Sequence, residues 1–211
     1  MTEPNPAFTG IDTSTPNVAR IYDYLLGGKD NFTADRMAAD QLVEAIPDVA
    51  EIARDNRSFL GRAVRYLAAE AGIRQYLDLG SGLPTQANVH ELAQGVAADV
   101  RVVYVDNDQV VASHGRAMPA FGGQVAMVFG DLRDPASILS DPEGQGEAAA
   151  NIYRQASSQL HTRSLPDVAR FFDGFELVEP GLTWITQWRP EPGTEPTGRP
   201  HSMRGAVGRK P

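Results

Sequence analysis

The sequence predicts an α/β fold: a parallel sheet covered by helices and entered from an all-helical segment. Three observations predict it. The first 72 residues carry helical periodicity and no strand-like run. Three short apolar runs follow, each ending in a turn rich in Gly or Asp. A helical stretch follows each of the first two runs, and strand, helix, strand at this spacing reads as βαβ units.

Residues 1–13 read as a disordered leader and 14–72 as a helical cap. A first helix is expected from Ser14-Thr15-Pro16, a hydroxyl N-cap followed by Pro at the first helical position. Val18, Ile21, Tyr22 and Leu25 form one apolar stripe on it, and Gly27-Gly28 ends it. A second helix is expected from Thr33 to Ile46, stopping at Pro47. A third runs from Asp48 to Ala71, with Phe59, Leu60, Ala63, Val64 and Leu67 inward and Gly72 as the stop.

Residues 73–190 read as the α/β unit. Gln75–Leu79, Arg101–Val105 and Val125–Phe129 are the strands, and their Val-rich runs suit strands covered on both faces. Helices are expected over Thr85–Ala98, Gln109–Met118 and a short stretch after Asp134-Pro135. The unit is interrupted near 143–151, because Asp141 to Ala150 carries no strand-like run. A helix over Ser164–Asp173 follows, with Ser164 and Asp167 as its capping pair. Phe175–Val178 and Thr183–Trp188 then read as an antiparallel hairpin around Glu179-Pro180-Gly181. Residues 191–211 read as a disordered tail, since Pro and Gly dominate it.

Composition narrows the chemistry. The 211 residues contain no Cys, which excludes disulfides, zinc–thiolate sites, iron–sulfur clusters and a thiol nucleophile. Four scattered His without H-E-x-x-H make a zinc hydrolase unexpected, and no metal site is expected. No apolar run reaches the roughly 18 residues that span a bilayer, and the N-terminus lacks a signal-peptide pattern, so a cytoplasmic protein without membrane contact is expected. The net charge is −8. The segment from Arg189 onward carries net +3, so the body is more acidic still, and gripping nucleic acid is not its expected role.

Asp78-Leu79-Gly80-Ser81-Gly82 is the most informative stretch. It stands where a strand gives way to a helix. Glycine permits positive φ and close approach of a ligand, and the helix N-terminus offers unpaired N–H groups. Two cofactor classes use such a turn. Dinucleotide enzymes need a third Gly for close helix–strand packing, where this chain has Pro84-Thr85. The other class carries an acidic residue just before the glycines and binds an amino-acid moiety, which Asp78 fits. An ordinary Gly-rich turn without a ligand is the third reading. Asp106, ending the second strand, can accept both hydroxyls of a ribose or cap the next helix, and Asp108 is the better cap. Asp131 can accept from the exocyclic amine of adenine, with Leu132 against the ring, or cap in turn. All three strand ends lie on the carboxyl edge of the sheet, where ligands of open α/β sheets bind.

With these residues in place, the chain resembles the class I S-adenosylmethionine (SAM)-dependent methyltransferases. More narrowly it is similar to an actinobacterial-type S-adenosyl methyltransferase family first described as a domain of unknown function. The resemblance rests on Thr13 to Phe32, including Tyr24-Leu25-Leu26-Gly27-Gly28-Lys29-Asp30-Asn31, on Asn56-Arg57 to Leu67, and on Tyr76 to Glu91 with Gly82-Leu83-Pro84-Thr85. Val103 to Asp108, Gly130 to Pro135 and Phe171 to Pro190 complete it. It implies a Rossmann-like three-layer sandwich with an N-terminal helical cap. It implies SAM as cofactor and an unidentified methyl acceptor as partner. Asp78, Gly80, Ser81 and Gly82 would hold the methionine part, Asp106 and Asn107 the ribose, and Asp131 and Leu132 the adenine. Tyr24, Lys29 and Asn31 would belong to a loop closing over the cofactor. No residue identifies itself as a catalytic base, and His90 and His114 read as packing or surface residues.

The chain departs from that family between Glu143 and Asn151. Strand 4, a helix and strand 5 are expected there, yet a βαβ unit needs roughly 30 residues or more. The sheet is therefore expected to be incomplete, leaving the 75–79 strand with one open edge and exposed apolar side chains. Three functional readings follow: a SAM-dependent methyltransferase, an internally deleted SAM binder without catalysis, and an NAD-type oxidoreductase, which Pro84-Thr85 disfavours.

Overall fold

The computed structural model describes residues 12–84, 87–117, 124–131, 133, 164–193 and 203–211. The leader up to residue 11, the helix expected after Pro135 and the 141–150 stretch lie outside them. Three helices come first: α1 (Val18–Leu25), α2 (Thr33–Ala45) and α3 (Val49–Ala69). Then follow β1 (Gln75–Leu79), α4 (Val89–Gln94), β2 (Arg101–Asp106), α5 (Gln109–Ala117) and β3 (Val125–Phe129). The C-terminal part holds α6 (Leu165–Ala169) and four two-residue strands, β4 (Glu176–Leu177), β5 (Thr183–Trp184), β6 (Arg204–Gly205) and β7 (Gly208–Arg209). The Rossmann-like α/β architecture with its helical cap is the one expected. No described helix is long and apolar enough to cross a membrane.

The first three strands form one parallel sheet in the order β1-β2-β3, with Gln75 opposite Arg101 and Val102 opposite Val125. Val102 and Tyr104 join Val64 and Ala68 of α3 and Val89 and Ala93 of α4 in the main core, with Tyr76 and Met127 packed against it. A smaller cluster of Leu83, Val110 and Val111 meets Ala19 and Phe32 of the cap. Among the described residues β1 is an edge strand, and Leu77 and Leu79 on its outer side are 51% and 49% exposed. Leu77 and Leu79 share one face of β1, which the described elements leave half exposed.

Four expectations are corrected. Helix α1 starts at Val18 with Asn17 as its cap, its side chain accepting from the Ala19 N–H at 2.8 Å. Ser14 is diverted: its N–H and hydroxyl both bond the Asp12 carboxylate, at 2.8 and 2.6 Å, forming a turn ahead of the helix. The face of α1 that is buried is also not the apolar stripe. Val18 is 51% exposed, whereas Arg20 and Asp23 are 5% and 3% exposed, because ionic and hydrogen-bond partners from the cap and from Asp108 surround them.

The remaining two corrections lie at the C-terminus. β4 and β5 do not pair with each other. β4 pairs antiparallel with β7 and β5 with β6, so the tail supplies both partners. Residues 203–211, expected to be disordered, are thus structured, in segments too short to show alternation. The unit docks on α3 through Trp188, which is fully buried and meets Phe59 and Tyr66 edge-on at 5.5 and 5.9 Å. Arg62 of α3 donates to the Trp188 carbonyl at 2.9 Å and to the Ile185 carbonyl at 2.5 Å. The helix capped by Ser164 is as expected, with the Ser164 hydroxyl 2.5 Å from the Asp167 carboxylate.

Candidate functional site

The carboxyl end of β1 turns sharply at Gly80 and Gly82, at φ of 70° and 68°, the left-handed region that favours glycine. The turn is held by the next strand. The N–H groups of Gly80 and Ser81 both donate to the Val105 carbonyl, at 2.8 and 3.1 Å. The Gly82 N–H donates to Oδ2 of Asp106 at 2.8 Å, and the Asp108 N–H donates to Oδ1 at 2.9 Å. Asp106 therefore ties the end of β2 to the glycine turn. Burial raises its pKa, opposed by the backbone N–H groups of Asp108 and Gly82. Asp108 is the cap of α5: its Oδ1 accepts from Val110 and Val111 at 2.6 and 3.2 Å.

A shallow cleft opens beside this turn. Asp78, Ser81 and Gly82 line it with Arg57, Asn88 and Tyr104, over apolar Val89, Val111 and Met127. Burial raises the pKa of Asp78, with Arg57 pulling it down and Asp106 pushing it further up. Among the described residues no hydrogen bond reaches the Asp78 carboxylate. A half-buried carboxylate facing a guanidinium suits a ligand with one cationic and one anionic group. Tyr104 is committed elsewhere: its hydroxyl accepts from the His90 N–H at 2.9 Å and lies 2.7 Å from His90 Nδ1. Burial raises the Tyr104 pKa and lowers that of His90. His90 is thus a buried packing residue, and the ring of His114 lies 3.7 Å from the Asp30 carboxylate.

At the end of β3, Asp131 is buried and its carboxylate is engaged by Arg133, whose Nε lies 3.0 Å from Oδ1 and 2.9 Å from Oδ2. That contact, helped by the Asn107 side chain, lowers the Asp131 pKa. The ends of β2 and β3 are thereby brought together. Leu132 lies outside the described residues. Tyr24, Lys29 and Asn31 do not line the cleft. The Tyr24 hydroxyl donates to Asp40 at 3.3 Å, and Lys29 is exposed. Asn31 donates to Asp23 and to the Gly28 carbonyl, at 2.9 and 3.1 Å, and accepts from Arg36 at 3.1 Å. These bonds make the Gly27–Phe32 loop a collar around Asp23. Gly28 is needed there, since a Cβ on it would meet the Asp23 carboxylate at 2.0 Å.

Two residues of the site escaped sequence reasoning. Arg57 of α3, 21 positions earlier in the chain, lines the cleft with Asp78 and donates to the Ala87 carbonyl at 3.1 Å. Arg20 pairs with Asp35 at 3.4 Å and with Asp108 at 3.5 Å, all three being buried. It links cap to sheet. The signal available was an Arg and an Asp placed i, i+3 within an amphipathic helix, which reads equally well as a solvated face.

No curated protein matches the chain. The crystal structure of a candidate methyltransferase from Thermobifida fusca YX is 37% identical, with a TM-score of 0.85, covering 100% of this chain and 99% of the other. A DUF574 family protein from Streptomyces avermitilis is 33% identical, with a TM-score of 0.83, covering 95% of this chain and 99% of the other. The sequence profile of the S-adenosyl methyltransferase family matches residues 4–147 and 142–211. The chain belongs to the S-adenosyl methyltransferase family.

Proposed function

We propose that the chain binds SAM at the glycine turn and transfers its methyl group to an acceptor within a cytoplasmic setting. The observation that carries this reading is the half-buried Asp78 sharing the cleft beside Gly82 with Arg57. Its donor set fits the cofactor. Asp78 would take the α-ammonium and Arg57 the α-carboxylate of the methionine part. Asp106, with Asn107 beside it, would receive the ribose hydroxyls, and Asp131 the adenine amine, with Leu132 against the ring. Gly80, Ser81 and Gly82 let the backbone approach. Asn31 acts at one remove, through the collar around Asp23, while Tyr24 and Lys29 do not line the cleft.

Bound, SAM supplies a sulfonium methyl group to a nucleophile, the C–S bond breaking with its pair left on sulfur. The residues named here bind and orient, and the apolar wall of Val89, Val111 and Met127 excludes water. An NAD-type reading finds no support in the family. A SAM binder without catalysis is favoured by one observation, the edge of β1 that is unpartnered among the described residues, with Leu77 and Leu79 half exposed. Calorimetry with SAM and with NAD tests the proposal, and NAD binding without SAM binding refutes it. Release of S-adenosylhomocysteine over acceptor pools separates enzyme from mere binder.

A further inference from the structure

A second, larger groove is also lined by Arg57, between α3, α4 and the C-terminal unit. Its walls carry three guanidiniums, Arg57, Arg62 and Arg65, against two carboxylates, Asp55 and Glu191. In a chain of net charge −8, a groove lined by three cations against two anions stands out from the rest of the surface. Arg62 is fixed at the wall by its two carbonyl bonds, and burial lowers its pKa. Arg65 meets Glu191 at 3.6 Å with both side chains more than half exposed, a pair that a ligand anion can displace cheaply.

Two further observations point to a ligand. Thr186 lines this groove, and its hydroxyl is buried without a hydrogen-bond partner among the described residues. A buried hydroxyl left unpaired is costly, so it is poised for an acceptor or donor from outside. Gly61 also lines the groove, in the interior of a 21-residue helix. Glycine there costs about 1 kcal/mol relative to Ala. A Cβ at Gly61 would meet only ordinary contacts, Arg65 at 3.6 Å and Leu92 at 3.9 Å. Backbone crowding therefore does not demand the glycine. Its effect is to keep the groove open.

We propose that this groove is the methyl-acceptor site and that it takes a small oxyanion-bearing molecule, a carboxylate or a phosphate monoester. The oxyanion sits on Arg62 and Arg65 with Thr186 as its third partner. Arg65 and Arg57 are eight residues apart on α3, about 12 Å. An acceptor anchored at Arg65 therefore spans toward Arg57, which lines both this groove and the cofactor cleft. Its nucleophilic atom forms a bond to the methyl carbon as the C–S bond breaks, and its own proton leaves to water. The inference rests on the SAM reading above.

The test is calorimetric titration of the full chain, with and without SAM, using inorganic phosphate, benzoate and neutral benzamide as probes. The expected result is binding of phosphate or benzoate at least tenfold tighter than benzamide; whichever anion is preferred identifies the oxyanion. Arg65→Gln and Thr186→Val should each weaken that anion at least threefold while leaving SAM affinity within twofold of the unaltered chain. Equal binding of benzamide and benzoate, or anion affinity unchanged in both variants, overturns the acceptor site while SAM binding still stands. Failure of SAM itself to bind overturns the reading beneath it and the proposal with it.

Discussion

Asp106→Ala probes the point where the sheet and the cofactor site meet. The carboxylate accepts two well-formed bonds, from the Gly82 N–H at 2.8 Å and the Asp108 N–H at 2.9 Å, at a residue only 7% exposed. A hydrogen bond to a charged group contributes about 1.5–3 kcal/mol, so the pair is worth about 3–6 kcal/mol gross. Burial opposes this, since it raises the Asp106 pKa and so disfavours the charged form. The expected net loss is about 2–4 kcal/mol for Ala. Asn keeps one carbonyl acceptor and should lose about half as much. Urea denaturation reads both variants, with an unchanged m-value showing that stability alone has moved. SAM affinity should fall by a further 1.5–3 kcal/mol, approximately the worth of one charged hydrogen bond to a ribose hydroxyl. An unaltered denaturation midpoint would refute the view that Asp106 holds the turn. An unaltered dissociation constant would refute its ribose role.

Other perturbations address the cap and the pH response. Gly28→Ala forces a methyl group into the Asp23 carboxylate, which would lie 2.0 Å away, so the collar must rebuild. Its melting temperature should drop by several degrees, consistent with a cost of about 1–3 kcal/mol, and an unchanged melt would contradict the collar. Arg20→Met removes the cation shared by buried Asp35 and Asp108. Leaving such charges unpaired costs about 3–5 kcal/mol, to be read as a lowered denaturation midpoint. Asp78 has its pKa raised by burial, so its contribution to the stability of the free protein is full below its unfolded value and declines as pH rises through the folded pKa. SAM affinity should run the opposite way, tightening with pH over that window as the carboxylate ionises to meet the ammonium. A flat profile in the unaltered chain, or the same profile in Asp78→Asn, would exclude Asp78 from that role.

The strand ends were legible because β1, β2 and β3 are continuous apolar runs punctuated by Gly and Asp, and those residues must terminate parallel strands in this way. The edge position of β1 among the described residues agrees with the arithmetic, since seven residues cannot encode a βαβ unit. What escaped depends on partners distant in sequence. Strands of two residues, such as Arg204–Gly205, have no period to read and exist only because β5 offers them an edge. The buried face of α1 follows from Asp35 and Asp108 receiving Arg20, which no local pattern announces. Arg57 lies on a helix whose periodicity accounts only for its apolar face, so its place opposite Asp78 emerges only when α3 packs on the sheet.

The central claim is that Asp78 and Arg57 recognise the amino-acid end of SAM. Comparing S-adenosylhomocysteine with 5′-methylthioadenosine, which keeps the nucleoside and lacks the amino acid, tests it most directly. Two charge-assisted contacts worth about 1.5 kcal/mol each predict roughly a hundredfold weaker binding of methylthioadenosine, a gap that Asp78→Asn or Arg57→Gln should shrink about tenfold. Equal affinity for the two ligands in the unaltered chain would contradict the account.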